Sequence, residues 1–149
     1  MDSKQPNSSI PSPETILKNQ DAGEQIDLGY CKIQYDEPIA YLVFKEGAEL
    51  GFPEMRECIA CAEKLSGKKP YFTLSDVRMN VNITKEGRKV ASDSNEAPLH
   101  RGNAAIVKNS IFKHTANFLT NFSQAKFPFK AFTDKQEAIN WLMKLPLDK

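Results

Sequence analysis

The sequence predicts an α/β fold in which a mostly parallel five-stranded sheet begins with an antiparallel hairpin. Residues 26–35 alternate between apolar and polar, and residues 39–44 are almost wholly apolar. Residues 70–89 indicate a buried strand, a polar turn and the start of a helix. Strands that alternate with helices imply right-handed crossovers and a parallel sheet. The expected order is therefore β-β-α-β-α-β-α-β-α.

Length, charge and cysteine content exclude several classes of protein. The chain has 149 residues, which suits one domain with a hydrophobic core, and its formal net charge of +1 gives no sign of nucleic-acid binding. No run approaches the ~18 apolar residues of a membrane span. The N-terminus lacks the apolar centre of a secretory signal. The three cysteines are an odd number, so a reduced, cytoplasmic setting is the simplest interpretation.

The N-terminal residues 1–23 predict a flexible arm in front of a single domain at residues 24–149. The arm is rich in Ser, Pro, Asn, Gln and Lys, which disfavours a packed core. Ser12 and Pro13 would still allow a short helix to begin, with Ser12 as its N-cap.

The first two strands are predicted as a hairpin. The apolar positions of residues 26–35 change parity at Gly29, which predicts a β-bulge there. Asp36-Glu37-Pro38 predicts a tight turn. The apolar run from Ile39 to Phe44 is typical of a strand that is covered on both faces.

The first helix is predicted to begin near Pro53 and to end near Gly67, a suitable C′ residue. Its expected buried stripe has helical spacing and consists of Met55, Ile59, Ala62 and Leu65. The central strand, residues 71–75, follows. The next helix is expected over residues 84–94, with Val90 and Ala91 as its main apolar face.

The last third of the chain predicts two strands and two helices. After a loop at residues 95–102, a strand is expected at 103–108 and an edge strand at 127–132, where Pro128 lacks a backbone donor. Ser110 is the predicted cap of the helix between these strands, and residues 133–136 predict a capping box for the last helix. The expected buried stripes are Ile111, Thr115, Phe118, Leu119 and Phe122 in the former helix, and Ile139, Leu142 and Met143 in the latter.

Several short segments of the sequence resemble the STAS family, whose best-known members are anti-sigma-factor antagonists. The nearest resemblance is to uncharacterised bacterial STAS/SEC14-like proteins, and it covers about Tyr30 to Leu145. The segments on which this resemblance rests are residues 69–71, 75–78, 83–88, 117–119 and 132–142. The resemblance implies a STAS-like fold with strands in sequential order. It also implies one poorly covered sheet face, which the arm or a second subunit could cover.

Thr84 is the position that the resemblance singles out for regulation. In the antagonists, a Ser or Thr within an Asp-Ser-Ser/Thr-Gly motif at the start of the helix after the central strand is phosphorylated. Here that motif is replaced by residues 82–85, Asn-Ile-Thr-Lys, which keep only the hydroxyl. Thr84 is thus a candidate regulatory phosphosite by resemblance, whereas its position alone predicts an N-cap.

No pattern in the sequence indicates catalysis, a metal or a cofactor. Cys58 and Cys61 match C-x-x-C, but they lie inside a helix and not at its N-terminus, so buried or half-buried small residues are expected. Cys31, His100 and His114 have no ligand spacing that would complete a zinc site. His114 borders the predicted buried stripe and is expected to be a core histidine. The sequence has neither a Gly-x-Ser-x-Gly elbow nor a Gly-rich phosphate loop.

The strongest candidate for a binding site is a cluster of basic and polar residues that is expected at the carboxyl edge of the sheet. There the segments 76–84 and 108–110 lead into helix N-termini, whose free N–H groups and dipoles favour anions. The candidate anion-binding residues are Arg78, Lys85, Lys108, Asn109 and Ser110. The alternative is ordinary helix capping with Lys and Arg in solvent.

Three classes of function follow from these observations. The first is a non-enzymatic regulatory or protein-interaction module of STAS type, with a protein partner or a second copy. The second is a SEC14-like module that binds a lipid or small anion. It is suggested by the phenylalanines at 112, 118, 122, 127 and 129, which are more often core residues. An enzyme is the third and least supported.

Overall fold

The computed structural model describes residues 24–93, 95–120 and 127–148. The described strands are β1 (Gln25–Asp27), β2 (Cys31–Asp36), β3 (Ile39–Phe44), β4 (Glu49–Leu50), β5 (Tyr71–Asp76), β6 (Asn82–Ile83), β7 (His100–Ile106) and β8 (Phe129–Phe132). The described helices are α1 (Phe52–Leu65), α2 (Lys85–Ala91), α3 (Ser110–Thr120) and α4 (Lys135–Leu142). The predicted arm, and the short helix expected within it, lie outside these residues.

The main sheet has six strands in the order β1-β2-β3-β5-β7-β8. The first three pair antiparallel, and β3, β5, β7 and β8 pair parallel. The predicted fold class is therefore confirmed, with β8 at the edge as expected. A separate parallel pair, β4 with β6, was not predicted.

The sixth strand of the main sheet exists because the chain turns at Gly29. Gly29 has a φ of +91°, and its N–H donates to Asp27 Oδ1 at 2.8 Å. Leu28 N–H donates to the Cys31 carbonyl at 2.8 Å, which closes the turn. The predicted bulge at Gly29 is thus wrong, because the parity change marks the turn between two short strands.

Two apolar layers cover opposite faces of the sheet. Adjacent residues of β3 belong to different layers, as alternation along a strand requires, and all six residues of β3 are buried. One layer includes Ala138 and Leu142 of α4, and the other includes Cys58 and Ala62 of α1. On the α1 face, a smaller cluster joins Ala116 of α3 to β7 and β8.

Helix α1 has the predicted ends but a different buried line. Gly67 has a φ of +70°, as its C′ role requires. Cys58 and Ala62 are its buried residues, while Ile59 is only half-buried. The predicted stripe is shifted here because the helix turns Cys58 toward β2.

The caps of α3 and α4 each lie one residue from the predicted position. Asn109 Oδ1 accepts the Phe112 N–H at 3.1 Å, so Asn109 caps α3 and Ser110 does not. Asp134 Oδ2 accepts the Glu137 N–H at 2.9 Å, so the cap of α4 is Asp134, not Thr133. Neighbouring Asn, Asp, Ser and Thr are all good caps, and composition does not decide between them.

Three residues that were predicted to be buried are exposed. Ile111 is 75% exposed, Met143 is 53% exposed and His114 is exposed. Helix α3 meets the sheet through Ala116, which turns the side chains of its first turn away from the core. The side chains at 115, 118, 119 and 122, the rest of that predicted stripe, lie outside the described part.

Three boundaries also differ from the prediction. Helix α2 ends at Ala91 and not near Ser94, β7 begins at His100 and not at Asn103, and β8 begins at Phe129, after Pro128. No helix in the described ranges is long and apolar enough to cross a membrane.

Candidate functional site at the carboxyl edge of the sheet

The central strand β5 ends in a buried ion pair. Arg78 Nε donates to Asp76 Oδ1 at 2.9 Å, and Arg78 Nη2 donates to Asp76 Oδ2 at 2.8 Å. Both side chains are almost fully buried. Two parallel, charge-assisted bonds hold the guanidinium in one orientation. The charge of Arg78, one of the predicted anion-binding residues, is therefore neutralised by Asp76.

The loop after β5 is tied to the segment after β3. Gly47 N–H donates to the Met79 carbonyl at 3.1 Å, and Asn82 N–H donates to the Ala48 carbonyl at 2.9 Å. These bonds continue into the β4–β6 pair. The edge of the sheet is thus formed by two connected loops.

Thr84 is the N-cap of α2. Its Oγ1 accepts the Gly87 N–H at 3.0 Å and donates weakly to the Leu50 carbonyl at 3.4 Å. The close approach needs a glycine at 87, because a Cβ there would lie 2.2 Å from the Leu50 oxygen. The N-cap prediction for Thr84 is confirmed, and its phosphorylation stays a prediction.

A cavity of about 330 Å³ lies between the loop after β5 and the start of α3. Its lining is mainly apolar and consists of Val77, Arg78, Asn80, Val81, Ile83, Val107, Lys108, Phe112 and Ala116. Val77 follows β5 and Val107 follows β7, so the cavity opens at the carboxyl edge that the topology predicts for ligands.

The predicted anion-binding residues divide into two groups. Arg78 and Lys108 line the cavity, and Lys108 Nζ lies 5.6 Å from the Phe112 ring centroid. Lys85 is exposed on the first turn of α2, Asn109 caps α3, and Ser110 is exposed. These three residues do not line the cavity.

Two large apolar side chains are exposed beside the cavity. Ile111 and Phe112, on the first turn of α3, are 75% and 53% exposed. Sequence reasoning placed Ile111 in the core, so this patch was missed.

A second polar cluster lies on the sheet itself, around His100. Its Nε2 lies 2.7 Å from Thr73 Oγ1, and its ring contacts the rings of Tyr71 and Phe127, whose centroids are 5.3 and 4.2 Å away. Burial lowers the pKa of His100 to about 4, so the imidazole is neutral at pH 7.

Asn103 extends this cluster along β7. Its Oδ1 accepts from Thr73 Oγ1 at 2.8 Å and from Ser75 Oγ at 3.1 Å. Sequence reasoning did not identify this cluster. The available signal was a pair of hydroxyl residues alternating with Phe72 and Leu74 in a strand expected to be buried.

The cysteines form a packed group and not a reactive one. Cys31 and Cys58 are buried and Cys61 is half-buried, as predicted for the C-x-x-C pair. A hydrogen bond with Cys58, together with burial, raises the pKa of the Cys31 thiol, and burial raises the pKa of Cys61. Among the described residues, no group of three or more His, Cys, Asp or Glu could hold a metal ion.

Comparison with known proteins identifies a matching family and a solved structure with a similar fold. The family described as Domain of unknown function (DUF7793) matches residues 32–146. A crystal structure of an uncharacterized DUF3478-family protein from Shewanella loihica PV-4, described as having a SpoIIAA-like fold, superposes with a TM-score of 0.50. The two chains are 20% identical over 75% of this chain and 91% of that one. No curated protein matches. The predicted resemblance to STAS proteins is thereby confirmed for the fold.

Proposed function

The chain belongs to the DUF7793 family, and because its fold is SpoIIAA-like we propose that it is a non-enzymatic, STAS-type module for regulation or protein interaction. The observation that carries the proposal is the exposed pair Ile111 and Phe112 at the carboxyl edge. Single exposed apolar residues are ordinary, but two large neighbours beside an apolar cavity form a patch of the kind that partners bury. Its free thiols suit a reducing, cytoplasmic compartment.

The surroundings of this patch support a protein partner. Lys108 adds a positive charge beside the two apolar side chains, and the loops beneath are held by backbone hydrogen bonds. An apolar centre with a charged rim on a rigid base is the usual composition of an interface. The partner is a protein with an apolar, acidic surface, and a second copy of this chain is the alternative.

Site-specific cross-linking tests the proposal. A photo-reactive residue is placed at position 111 in the full chain, in its native host, and the cross-linked partner is purified. Its affinity is then measured for the wild type, Ile111→Asp and Met143→Asp. Ile111→Asp should weaken binding by at least about tenfold.

Met143→Asp is the matched control for that experiment. Met143 is another exposed apolar residue, at the C-cap of α4, and its change should leave the affinity unaltered while costing at most about 1 kcal/mol of stability, because a negative charge at a helix C-terminus is unfavourable. Equal effects of the two variants, or no effect of Ile111→Asp, would contradict the proposal. A cross-link to a second copy would identify a homodimer, which sedimentation then checks.

Thr84 belongs to the same proposal as a regulatory phosphosite. It caps α2 next to β4, and a phosphate there would lose the bond to the Leu50 carbonyl and add negative charge beside that oxygen. Intact-mass measurement of protein from its native host should detect a phosphate that maps to Thr84. A fully unmodified population under all growth conditions would remove the switch and leave the interaction module.

The second candidate function is binding of a small anion or lipid at Arg78, Lys85, Lys108, Asn109 and Ser110. The cavity between β5 and α3 favours it, because Arg78 and Lys108 both line that cavity.

A further inference from the structure

The cavity at the carboxyl edge has the composition of a site for an amphipathic molecule. Six of its lining residues are apolar: Val77, Val81, Ile83, Val107, Phe112 and Ala116. Its volume of about 330 Å³ is near the lower end of the range for small-ligand pockets, roughly 300–1,000 Å³. The cavity therefore suits one small molecule and not a two-chain lipid.

The charge of the lining is unbalanced. Among the described residues, Arg78 and Lys108 are the ionisable ones that line it, and no carboxylate does. Asp76 neutralises Arg78 through the two-point pair. Lys108 is exposed, and no carboxylate of the described residues forms an ion pair with it; its Nζ lies 5.6 Å from the Phe112 ring centroid. One uncompensated positive charge therefore stands at the edge of an apolar cavity.

We propose that this cavity binds a small amphipathic anion, with its apolar body against Val77, Val107 and Phe112 and its carboxylate or phosphate at Lys108. Burial of the apolar body contributes most of the affinity. A charge-assisted hydrogen bond to Lys108 selects anions over neutral molecules of the same shape. The inference rests on the second candidate function and not on a protein partner. Phe112 is shared with the patch proposed for that partner, whereas Ile111 does not line the cavity.

Titration of the full chain with octanoate, followed by amide chemical shifts, tests the site. Octanol and octylamine serve as the neutral and cationic analogues. Octanoate should shift the amides around Val77, Val107 and Phe112, and should bind about tenfold more tightly than octanol. Octylamine should bind more weakly than either. Equal binding of octanoate and octanol would overturn the proposal.

Two lysine variants separate the site from general attraction to positive charge. Lys108→Gln should lose about tenfold in octanoate affinity and keep the affinity for octanol. Lys130→Gln is closely matched, because Lys130 is an exposed lysine 5.5 Å from the ring centroid of Phe132 on β8, outside the cavity. It should change neither affinity. A similar loss in both variants would overturn the proposal.

A variant that fills the cavity provides a further test. Ala116→Leu places a larger side chain in the cavity and should weaken octanoate and octanol alike. Since that variant risks disturbing the core, the exposed Lys108→Gln remains the decisive one.

Vesicles of anionic phospholipid distinguish a lipid headgroup from a free acid as the ligand. Sedimentation of the chain with the vesicles, without octanoate shifts at the cavity, would replace a small-ligand site with membrane-surface attraction.

Discussion

Arg78 folds back onto Asp76, two residues before it, and forms a two-point ion pair of 2.9 and 2.8 Å at the end of the central strand. The Arg78 backbone N–H donates to the same carboxylate at 3.1 Å. Asp76 is 1% exposed and Arg78 is 8% exposed. The pair thus fixes the direction in which the chain leaves β5, and with it one wall of the cavity.

Removal of Arg78 should destabilise the protein strongly. Arg78→Met leaves the buried Asp76 charge without its partner, which typically costs about 3–5 kcal/mol. Urea unfolding measures the loss. Arg56→Met is the control, because Arg56 also makes two bonds to one carboxylate, that of Glu96, but is largely exposed. It should cost about 1 kcal/mol or less. Similar losses in the two variants would contradict the assigned role of burial.

Loss of the Thr84 hydroxyl should weaken α2. Thr84→Ala removes the acceptor for the Gly87 N–H and should lower the free energy of unfolding by about 1 kcal/mol. Thr84→Ser keeps the oxygen and should be nearly neutral. Denaturant melts of the two variants separate these outcomes. If Ser is as harmful as Ala, the methyl group and not the hydroxyl is what this position needs.

A methyl group at position 87 should be harmful although alanine favours helices. In Gly87→Ala the new Cβ would lie 2.2 Å from the Leu50 carbonyl oxygen, a backbone atom in the β4–β6 pair. The expected loss is about 1–3 kcal/mol, despite a gain of up to about 1 kcal/mol in helix propensity. Gly51→Ala is the control, since its nearest neighbour, at 3.3 Å, is a side-chain oxygen of Glu54 and not a backbone atom, and it should cost less than Gly87→Ala. An unchanged thermal midpoint for Gly87→Ala would be the contrary result.

Stability should fall in acid because His100 is held neutral. Its pKa is about 4 in the folded protein and about 6.5 in an unfolded chain. The unfolded state therefore binds the extra proton between these values, and stability decreases as the pH falls through that window. At pH 4.5 this should cost about 2–3 kcal/mol relative to pH 7.5.

The variant His100→Gln isolates that contribution. It has no titrating side chain at position 100, so its unfolding free energy should depend less steeply on pH between 7.5 and 4.5. The difference between the two slopes removes the contribution of the carboxylates. Parallel slopes for wild type and variant would show that His100 does not titrate differently on folding.

Much of the fold was predictable because its signals are local. The apolar run of β3, the turn before it, and the Pro53 and Gly67 boundaries of α1 each depend on a few neighbouring residues. The caps at Asn109 and Asp134, each one residue from its predicted position, show what local signals do not determine. Two adjacent polar residues can each accept the same helix amide, and only hydrogen-bond geometry selects one.

The candidate site was predictable in place but not in detail. Parallel topology alone puts Arg78 and Lys108 at one edge of the sheet, and both line the cavity there. The sequence placed the charge of Asp76 at the same edge, but it did not indicate that Asp76 forms a buried ion pair with Arg78, nor that Lys108 lies beside Phe112. These outcomes depend on where the chain turns after β5 and β7.

The sequence by itself determined the order of the four helices and of five strands of the main sheet, and hence the edge at which loops and helix N-termini meet. Tertiary structure decided which side chains are buried. It buries Cys58 where the predicted stripe had Ile59, and it exposes Ile111 and His114, which helical spacing had placed in or beside the core. The physical reason is that periodicity defines an apolar face only approximately. The part of that face that leaves water is set by the packing of the whole element against the sheet.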